Sequence, residues 1–338
     1  CRNTFGVCGL LFLLFLYIFW SSSSGVKVYE AVLDTEETIS ICNVNLEDHR
    51  KFNDRISTWP MIYFVTPTYP RREQVAELIR LGQTLMHIPN LHWIVADDVD
   101  KCNSYLEFIL NDFGIPYTHI ASPMPDIYRS KNIIPRGVSN RRAALTWLRN
   151  NNIRSGVLYF GDDDNTFSLR LFSEIRFTKR VSMFPVGLIG KYGVSAPIVK
   201  NGHVVGFFDS WPAKRKWPVD MAGFAVNIEY LAQHPNATMP YKAGYEEDEF
   251  LKSIKITMEL IEPKANNCTE IYVWHTQTTK VKAPTIKIDD QTIESDATSL
   301  GPLLRHLKSM GVSYSSSTSG INAEIIKNGK NRPISSLF

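Results

Sequence analysis

The sequence predicts an α/β protein built on a mainly parallel, doubly wound sheet. Three features predict it: short apolar runs rich in β-branched and aromatic residues, helically spaced stretches that alternate with them, and polar clusters where the runs end. Strands that alternate with helices pair in parallel, because each helix carries the chain back across the sheet. At 338 residues and 44% hydrophobic content the chain can bury a substantial core. Its 37 basic and 34 acidic residues are interspersed, so the net charge of +3 creates no field suited to nucleic acid.

The first run, Met61-Ile62-Tyr63-Phe64-Val65, ends at Thr66-Pro67-Thr68-Tyr69-Pro70 and reads as a buried strand feeding a loop. Residues 73–87 follow with Val75, Leu78, Ile79 and Leu85 in helical spacing. A second strand over 91–96 stops at Asp97-Asp98, a helix is expected over 105–112, and Tyr117-Thr118-His119-Ile120 is strand-like. Another helix over 141–148 precedes the strand Gly156-Val157-Leu158-Tyr159-Phe160, which runs into Gly161-Asp162-Asp163-Asp164. From about residue 171 the pattern changes to short strands over 186–190, 203–208, 223–228 and 271–274, separated by Gly and Pro. Beyond Lys282 the composition turns polar and Ser-rich, so residues 283–338 are expected to form a flexible tail.

At the other end, residues 5–20 form an almost unbroken apolar run opened by Arg2 and closed by Trp20 and four serines, the pattern of a membrane segment. Bulky Tyr17, Ile18, Phe19 and Trp20 stand where signal peptidase requires small residues, which favours an uncleaved signal-anchor. Arg2 on the short side then makes residues 1–4 a cytoplasmic tail and leaves the C-terminal part in the lumen. A chain opening on Cys1 instead of Met is expected to be truncated at its start. Residues 21–59 are polar and aperiodic and read as a stem, with the folded unit starting near Pro60. Asn236-Ala237-Thr238 and Asn267-Cys268-Thr269 are N-glycosylation sequons, in keeping with a luminal domain. Five cysteines without regular spacing argue against a disulfide framework or a zinc site, and Cys42 in the stem is expected either to bridge to a second copy or to stay free.

Chemistry concentrates in four places. Asp162-Asp163-Asp164 directly follows a buried strand, where three carboxylates repel one another unless a cation or a solvated turn relieves them. Mg²⁺ or Mn²⁺ bridging a diphosphate does this, since both ions favour a few carboxylates plus phosphate and water oxygens; an acidic helix cap is the plain alternative. No glycine-rich phosphate loop opens any strand, so Arg136 and Arg141, whose forked donors suit phosphate, are candidates to hold a diphosphate. Gly244-Tyr245-Glu246-Glu247-Asp248-Glu249 sets four carboxylates at the start of a helical stretch, either as favourable helix N-terminal charge or as the source of a general base. Trp211-Pro212-Ala213-Lys214-Arg215-Lys216-Trp217-Pro218-Val219-Asp220 interleaves aromatics and charges as a carbohydrate site does, and His275 could reach phosphate.

These segments, in this order, resemble the animal β-1,3-glucuronyltransferases over residues 60–279. The resemblance is carried by Val65-Thr66-Pro67-Thr68-Tyr69, Pro135-Arg136-Gly137-Val138, Tyr159-Phe160-Gly161-Asp162-Asp163-Asp164-Asn165-Thr166, Phe184-Pro185-Val186-Gly187-Leu188, Trp217-Pro218-Val219-Asp220-Met221-Ala222-Gly223-Phe224-Ala225-Val226 and Val273-Trp274-His275-Thr276. It implies a GT-A type glycosyltransferase fold, with a UDP-sugar-binding half over 60–170 merged with a mixed acceptor-binding region over 171–282. It also implies Mn²⁺, UDP-glucuronate as donor, a galactose-terminated glycan acceptor, a type II Golgi membrane topology and a homodimer. Tyr69 would stack on uracil, Asp98 would bind the base, and Arg136, Arg141 and His275 would hold ribose or phosphates. Asp162 and Asp163 would contact donor groups, Asp164 would ligate the metal, Glu247 would be the catalytic base, and Trp211, Arg215 and Asp220 would meet acceptor or donor sugar. Two positions depart from the family: Ser195 replaces an acidic residue that grips the acceptor, and Gln277 replaces a phosphate-binding arginine. Transfer of another sugar such as xylose, and a non-catalytic partner that binds UDP-sugar or glycan, are the competing readings.

Overall fold

The computed structural model describes residues 37–50, 58–211, 213–276, 278, 286–309, 314–315, 320–327 and 330–337. The expected anchor and its short tail, much of the stem, and Gln277 lie outside these residues. Among the described residues no helix is long and apolar enough to cross a membrane.

Four parallel strands form the centre of an eight-stranded sheet: β2 (Ile62–Thr68), β3 (Leu91–Asp97), β4 (Tyr117–Ala121) and β5 (Val157–Phe160), in the order β4-β3-β2-β5. Every residue of β3 is buried, as expected for a parallel strand covered on both faces. Alternate side chains divide between two cores. Phe64, Trp93, Val95 and Tyr159 pack on one face with helices α1 (Gln74–Leu85) and α2 (Ser104–Asp112), and Val65, Ile94, Ile120 and Leu158 pack on the other with α4 (Val138–Asn150). A one-turn helix, α3 (Asp126–Arg129), lies between β4 and α4.

The rest of the sheet is mixed. Strand β11 (Phe224–Asn227) runs antiparallel between β5 and β7 (Val181–Met183), and β12 (Ile261–Pro263) closes that edge parallel to β7. A second, five-stranded sheet follows the order β10-β9-β8-β13-β6, with β6 (Thr166–Phe167), β8 (Val186–Gly187), β9 (Val194–Lys200), β10 (His203–Phe208) and β13 (Val273–Trp274). The doubly wound parallel half merging with a mixed region thus agrees with the fold class expected from sequence.

Three expectations are corrected. First, the folded unit begins before Pro60: β1 (Ser40–Asn45), placed in the stem by sequence, pairs antiparallel with β4 at the sheet edge. Second, Cys42 is bonded to Cys102 of the same chain, so no bridge to a second copy forms through it. The cause is register: Ile41 faces Ile120 and Asn43 faces His119 with a bulge between them, which brings Cys42 against the loop after β3, Cα to Cα 5.5 Å. Third, the expected flexible tail contains secondary structure, including helices Asp290–Glu294 and Leu300–Ser309, around a small cluster of Ile288, Ile293, Leu304 and Ile334.

Candidate active site

The loops at the carboxyl ends of β2, β3 and β5 open on one side of the sheet, where a cleft of about 970 Å³ collects Tyr69, Asp98, Arg136, Arg141, Asp162, Asp163, Asp164 and His275. All eight residues singled out for the nucleotide sugar line this single cleft. Its acidic turn leaves β5 through Gly161, where a side chain is impossible without a shift, since a Cβ would lie 2.2 Å from Phe64 Cζ.

The three carboxylates of that turn have three different surroundings. Asp162 is paired with Arg141, whose side chain is buried on α4. Asp163 is buried and receives a two-pronged contact from Arg71. Among the described residues no basic group pairs with Asp164, whose carbonyl instead accepts from Arg80 at 2.9 Å and from the Thr276 hydroxyl at 2.5 Å. Burial, and then the charges of Asp162 and Asp163, push the Asp164 carboxyl up to about 6.

A divalent ion fits this turn on chemical grounds. The same negative surroundings that favour a proton on Asp164 favour a cation there. The turn is not an all-protein cage: among the described residues the only three-group cluster at ligating distances is Cys42, Cys102 and Glu107, and its cysteines are in the disulfide. An ion at Asp164 would therefore take most of its oxygens from phosphate and water, as Mg²⁺ commonly does.

The guanidinium groups of Arg71 and Arg136 lie 4.7 Å and 5.4 Å from the Tyr69 ring centroid. Asp98 accepts from the Met124 amide at 2.7 Å and pairs with Arg129 Nη2 at 2.6 Å.

A second recess of about 190 Å³ is lined by Asp209, Ser210, Trp211, Arg215, Asp220 and Glu247 among others, so it gathers all four residues assigned to the acceptor side and to catalysis. Arg215 stacks on Trp211 at 4.6 Å and stands 4.0 Å from Glu247. Asp220 links the two recesses, because its Oδ2 lies 3.5 Å from Nδ1 of His275 in the larger cleft. That carboxylate raises the imidazole to about 9, so His275 carries positive charge at neutral pH.

Helix α5 (Glu246–Ser253) holds all four carboxylates in its first turn, at the start of the helical stretch expected from sequence. They divide by direction. Asp248 is fully buried, accepting from the Trp217 amide at 2.8 Å and pairing with Lys252 at 2.7 Å, and Glu249 pairs with Lys252 at 2.9 Å. Both serve the helix start, as the plain reading held. Glu247 turns into the small recess with its side chain 16% exposed, and burial, reinforced by Asp220 and Glu246, pushes its carboxyl up to about 8.

Several participants carried no recognisable sequence signal. Arg71 and Asp209 are single residues in loops, Thr68 closes β2 and Arg129 closes α3, and the partners of Arg71, Thr68, Arg129 and Asp209 lie 92, 95, 31 and 6 positions away. Ser195 is buried in β9 opposite Val186 and faces neither recess. Both sequon asparagines, Asn236 and Asn267, are exposed.

The sequence matches glycosyltransferase family 43 over residues 81–279. It is 58% identical over 308 residues to galactosylgalactosylxylosylprotein 3-beta-glucuronosyltransferase S of Drosophila melanogaster, covering 89% of this chain and 75% of that protein. The corresponding enzyme P of the same organism is 49% identical over 223 residues, covering 65% of this chain and 46% of the relative. Galactosylgalactosylxylosylprotein 3-beta-glucuronosyltransferase 2 of Homo sapiens is 43% identical over 245 residues, covering 70% and 75% respectively.

Proposed function

The chain belongs to glycosyltransferase family 43 and is a glycosyltransferase, and on that premise we propose that it transfers glucuronic acid from UDP-glucuronate to the 3-hydroxyl of a galactose-terminated acceptor. The observation that supports this reading most is the juxtaposition of a large cleft rich in arginine and aspartate with a small aromatic recess holding Glu247, joined through Asp220 and His275.

In the larger cleft, Tyr69 stacks on the uracil, and Arg136, Arg141 and the charged His275 hold ribose and diphosphate. Asp164 would hold Mn²⁺, which would supply positive charge against the departing diphosphate. An α-linked donor that becomes a β-linked product requires attack from the face opposite UDP. Glu247, in the adjoining recess, takes the proton from the acceptor hydroxyl during that attack. Its raised proton affinity makes the ionised carboxylate a stronger base than an ordinary one. Trp211 offers an apolar face to the acceptor ring, and Arg215 holds the carboxylate in place.

A luminal Golgi location with a type II anchor belongs to the same proposal. The disulfide and the two exposed sequons support an oxidising, glycosylating compartment. A homodimer of this chain would be held without Cys42, which is committed to Cys102. The test is UDP release from a panel of UDP-sugars with galactose-terminated acceptors. Turnover confined to UDP-glucuronate is expected; a preference for UDP-xylose, or UDP binding without turnover, would defeat the proposal.

A further inference from the structure

Two tyrosines that no motif singled out are stacked on each other. Tyr128 stands on α3, and Tyr241 opens the loop that leads into α5. Their ring planes are 7° apart and their centroids 4.1 Å apart. Each ring also carries a cation: Lys131 Nζ lies 4.6 Å from the Tyr128 centroid, and Arg142 Cζ lies 5.3 Å from the Tyr241 centroid. Ring faces are negative and repel one another when parallel, so a cation on each ring favours the pairing. Arg142, on α4 beside Arg141, also donates from Nη1 to the Met239 carbonyl at 2.9 Å, which fixes the chain just before Tyr241.

The two ends of this stack are attached to different recesses. Helix α3 is tied to the wall of the larger cleft, because Asp98 binds the Met124 amide and Arg129 Nη2, and Arg129 Nε donates to the Met124 carbonyl at 3.1 Å. The loop after Tyr241 closes on itself: the Tyr245 amide donates to the Lys242 carbonyl at 3.1 Å, and Lys242 Nζ lies 3.8 Å from the Tyr245 centroid. Gly244, at φ +80°, sits under Trp211, where a Cβ would come within 2.3 Å of Trp211 Cη2. The Tyr245 hydroxyl donates to the Ala213 carbonyl at 3.3 Å. Trp211 and Ala213 thus hold this turn from the side of the smaller recess, and Tyr128 holds it from the side of the larger cleft. Resting on the transferase reading proposed above, we infer that Tyr128 and Tyr241 are positioning residues that act as one unit, setting the loop before α5, and with it Glu247, relative to the cleft that takes the donor. Neither tyrosine lines either recess, so both act through the groups they hold. Transfer needs the base, the acceptor oxygen and the anomeric carbon in line, and small misplacements there cost rate far more than affinity.

The experiment is a double-mutant cycle on kcat with UDP-glucuronate and a galactose-terminated acceptor, alongside calorimetry of UDP binding with Mn²⁺. Tyr128→Ala and Tyr241→Ala should each lower kcat about ten- to a hundredfold. UDP should bind both with the parent's stoichiometry, which shows that they are folded, and with affinity within about threefold of the parent. The double variant should be no slower than the slower single, because both substitutions remove one contact. Tyr241→Phe keeps the ring and should recover kcat to within about threefold of the parent. Losses that multiply in the double variant would overturn the joint role, and a kcat for Tyr241→Ala within about twofold of the parent would overturn the positioning role. Tyr241→Phe as slow as Tyr241→Ala would assign the effect to the hydroxyl and overturn the stack. UDP affinity that falls in step with kcat would place the fault in the donor cleft instead of the loop, and overturns the inference too. Should Tyr241→Ala fail to fold, Tyr241→Leu keeps apolar bulk without the ring, and the same outcomes decide. A parent protein that turns over no UDP-sugar would remove the transferase reading itself.

Discussion

Glu246 and Glu247 are neighbours in the first turn of α5, yet only Glu247 lines the smaller recess. A base assignment and a helix-terminus assignment therefore predict different outcomes for the pair. If Glu247 takes the acceptor proton, Glu247→Gln should keep UDP binding and lower turnover by on the order of 10² to 10⁴, with Glu246→Gln doing far less. If the charge only serves the helix, the two substitutions should act alike, each within a few tenths of a kcal/mol of stability. Steady-state kinetics beside UDP binding separates the two. At Asp164, Asp164→Ala should abolish transfer and most of the Mn²⁺ dependence of UDP binding, because a site with few protein ligands loses its own carboxylate. Titrations of UDP binding with and without Mn²⁺ check this, and an unchanged metal dependence would rule the ligand assignment out.

Individual elements were legible from sequence where burial was complete. The run at residues 61–65 and the run at 91–96 were read as strands because their β-branched and aromatic residues are covered on both sheet faces. Strand β1 was not legible, because its Ser40-Ile41-Cys42-Asn43-Val44-Asn45 lies half exposed at an edge and owes its place to β4 and the disulfide. The two-residue strands β8 and β13 were over-extended for a similar reason: pairing with several neighbours holds them, and pairing leaves no local periodicity. The disulfide gives an element-scale prediction. Cys42→Ser should lower stability by about 2–4 kcal/mol in denaturant unfolding. On non-reducing gels the parent should run as a monomer, faster than the variant. A parent dimer band lost on Cys42→Ser would restore the bridge between copies.

Across the whole molecule, the larger cleft could be located from the alternation of strands and helices, since ligands gather at the carboxyl ends of parallel strands. The smaller recess could not, because Asp209, Arg215, Asp220 and Glu247 meet only through the second sheet and α5; the aromatic and charged segment 211–220 had grouped Arg215 with Asp220, and resemblance alone gave Glu247 its role. Gathering so many charges has a cost in pH dependence. Folded Glu247 and Asp97 keep protons up to about 8 and about 7, well above their ordinary values, so the stability tied to their protonation is present in acid and is lost as pH rises to those values. His275, raised to about 9, contributes stability that is complete below its ordinary 6.5 and lost towards 9. Buried His92 and His119, lowered to about 4, act oppositely, with stability lost as pH falls from 6.5 towards 4. Tm should therefore fall from pH 6.5 to 9, and the fall should be shallower in Glu247→Gln; differential scanning calorimetry across that range measures both, and a rising Tm contradicts the assignments.

The edge position of β1 also bears on how the chain reaches this state. Its partner β4 is synthesised about seventy residues later, while Cys102 emerges before β4 does. An early Cys42–Cys102 bond would hold the first strand close to its future slot at high effective concentration, so that docking becomes a short search instead of a long loop closure. Until β1 docks, β4 presents unpaired amides and carbonyls along an open edge, the surface through which nascent sheets capture one another. The bond then acts as a folding chaperone built into the chain, and its loss should appear first as aggregation during refolding at low denaturant.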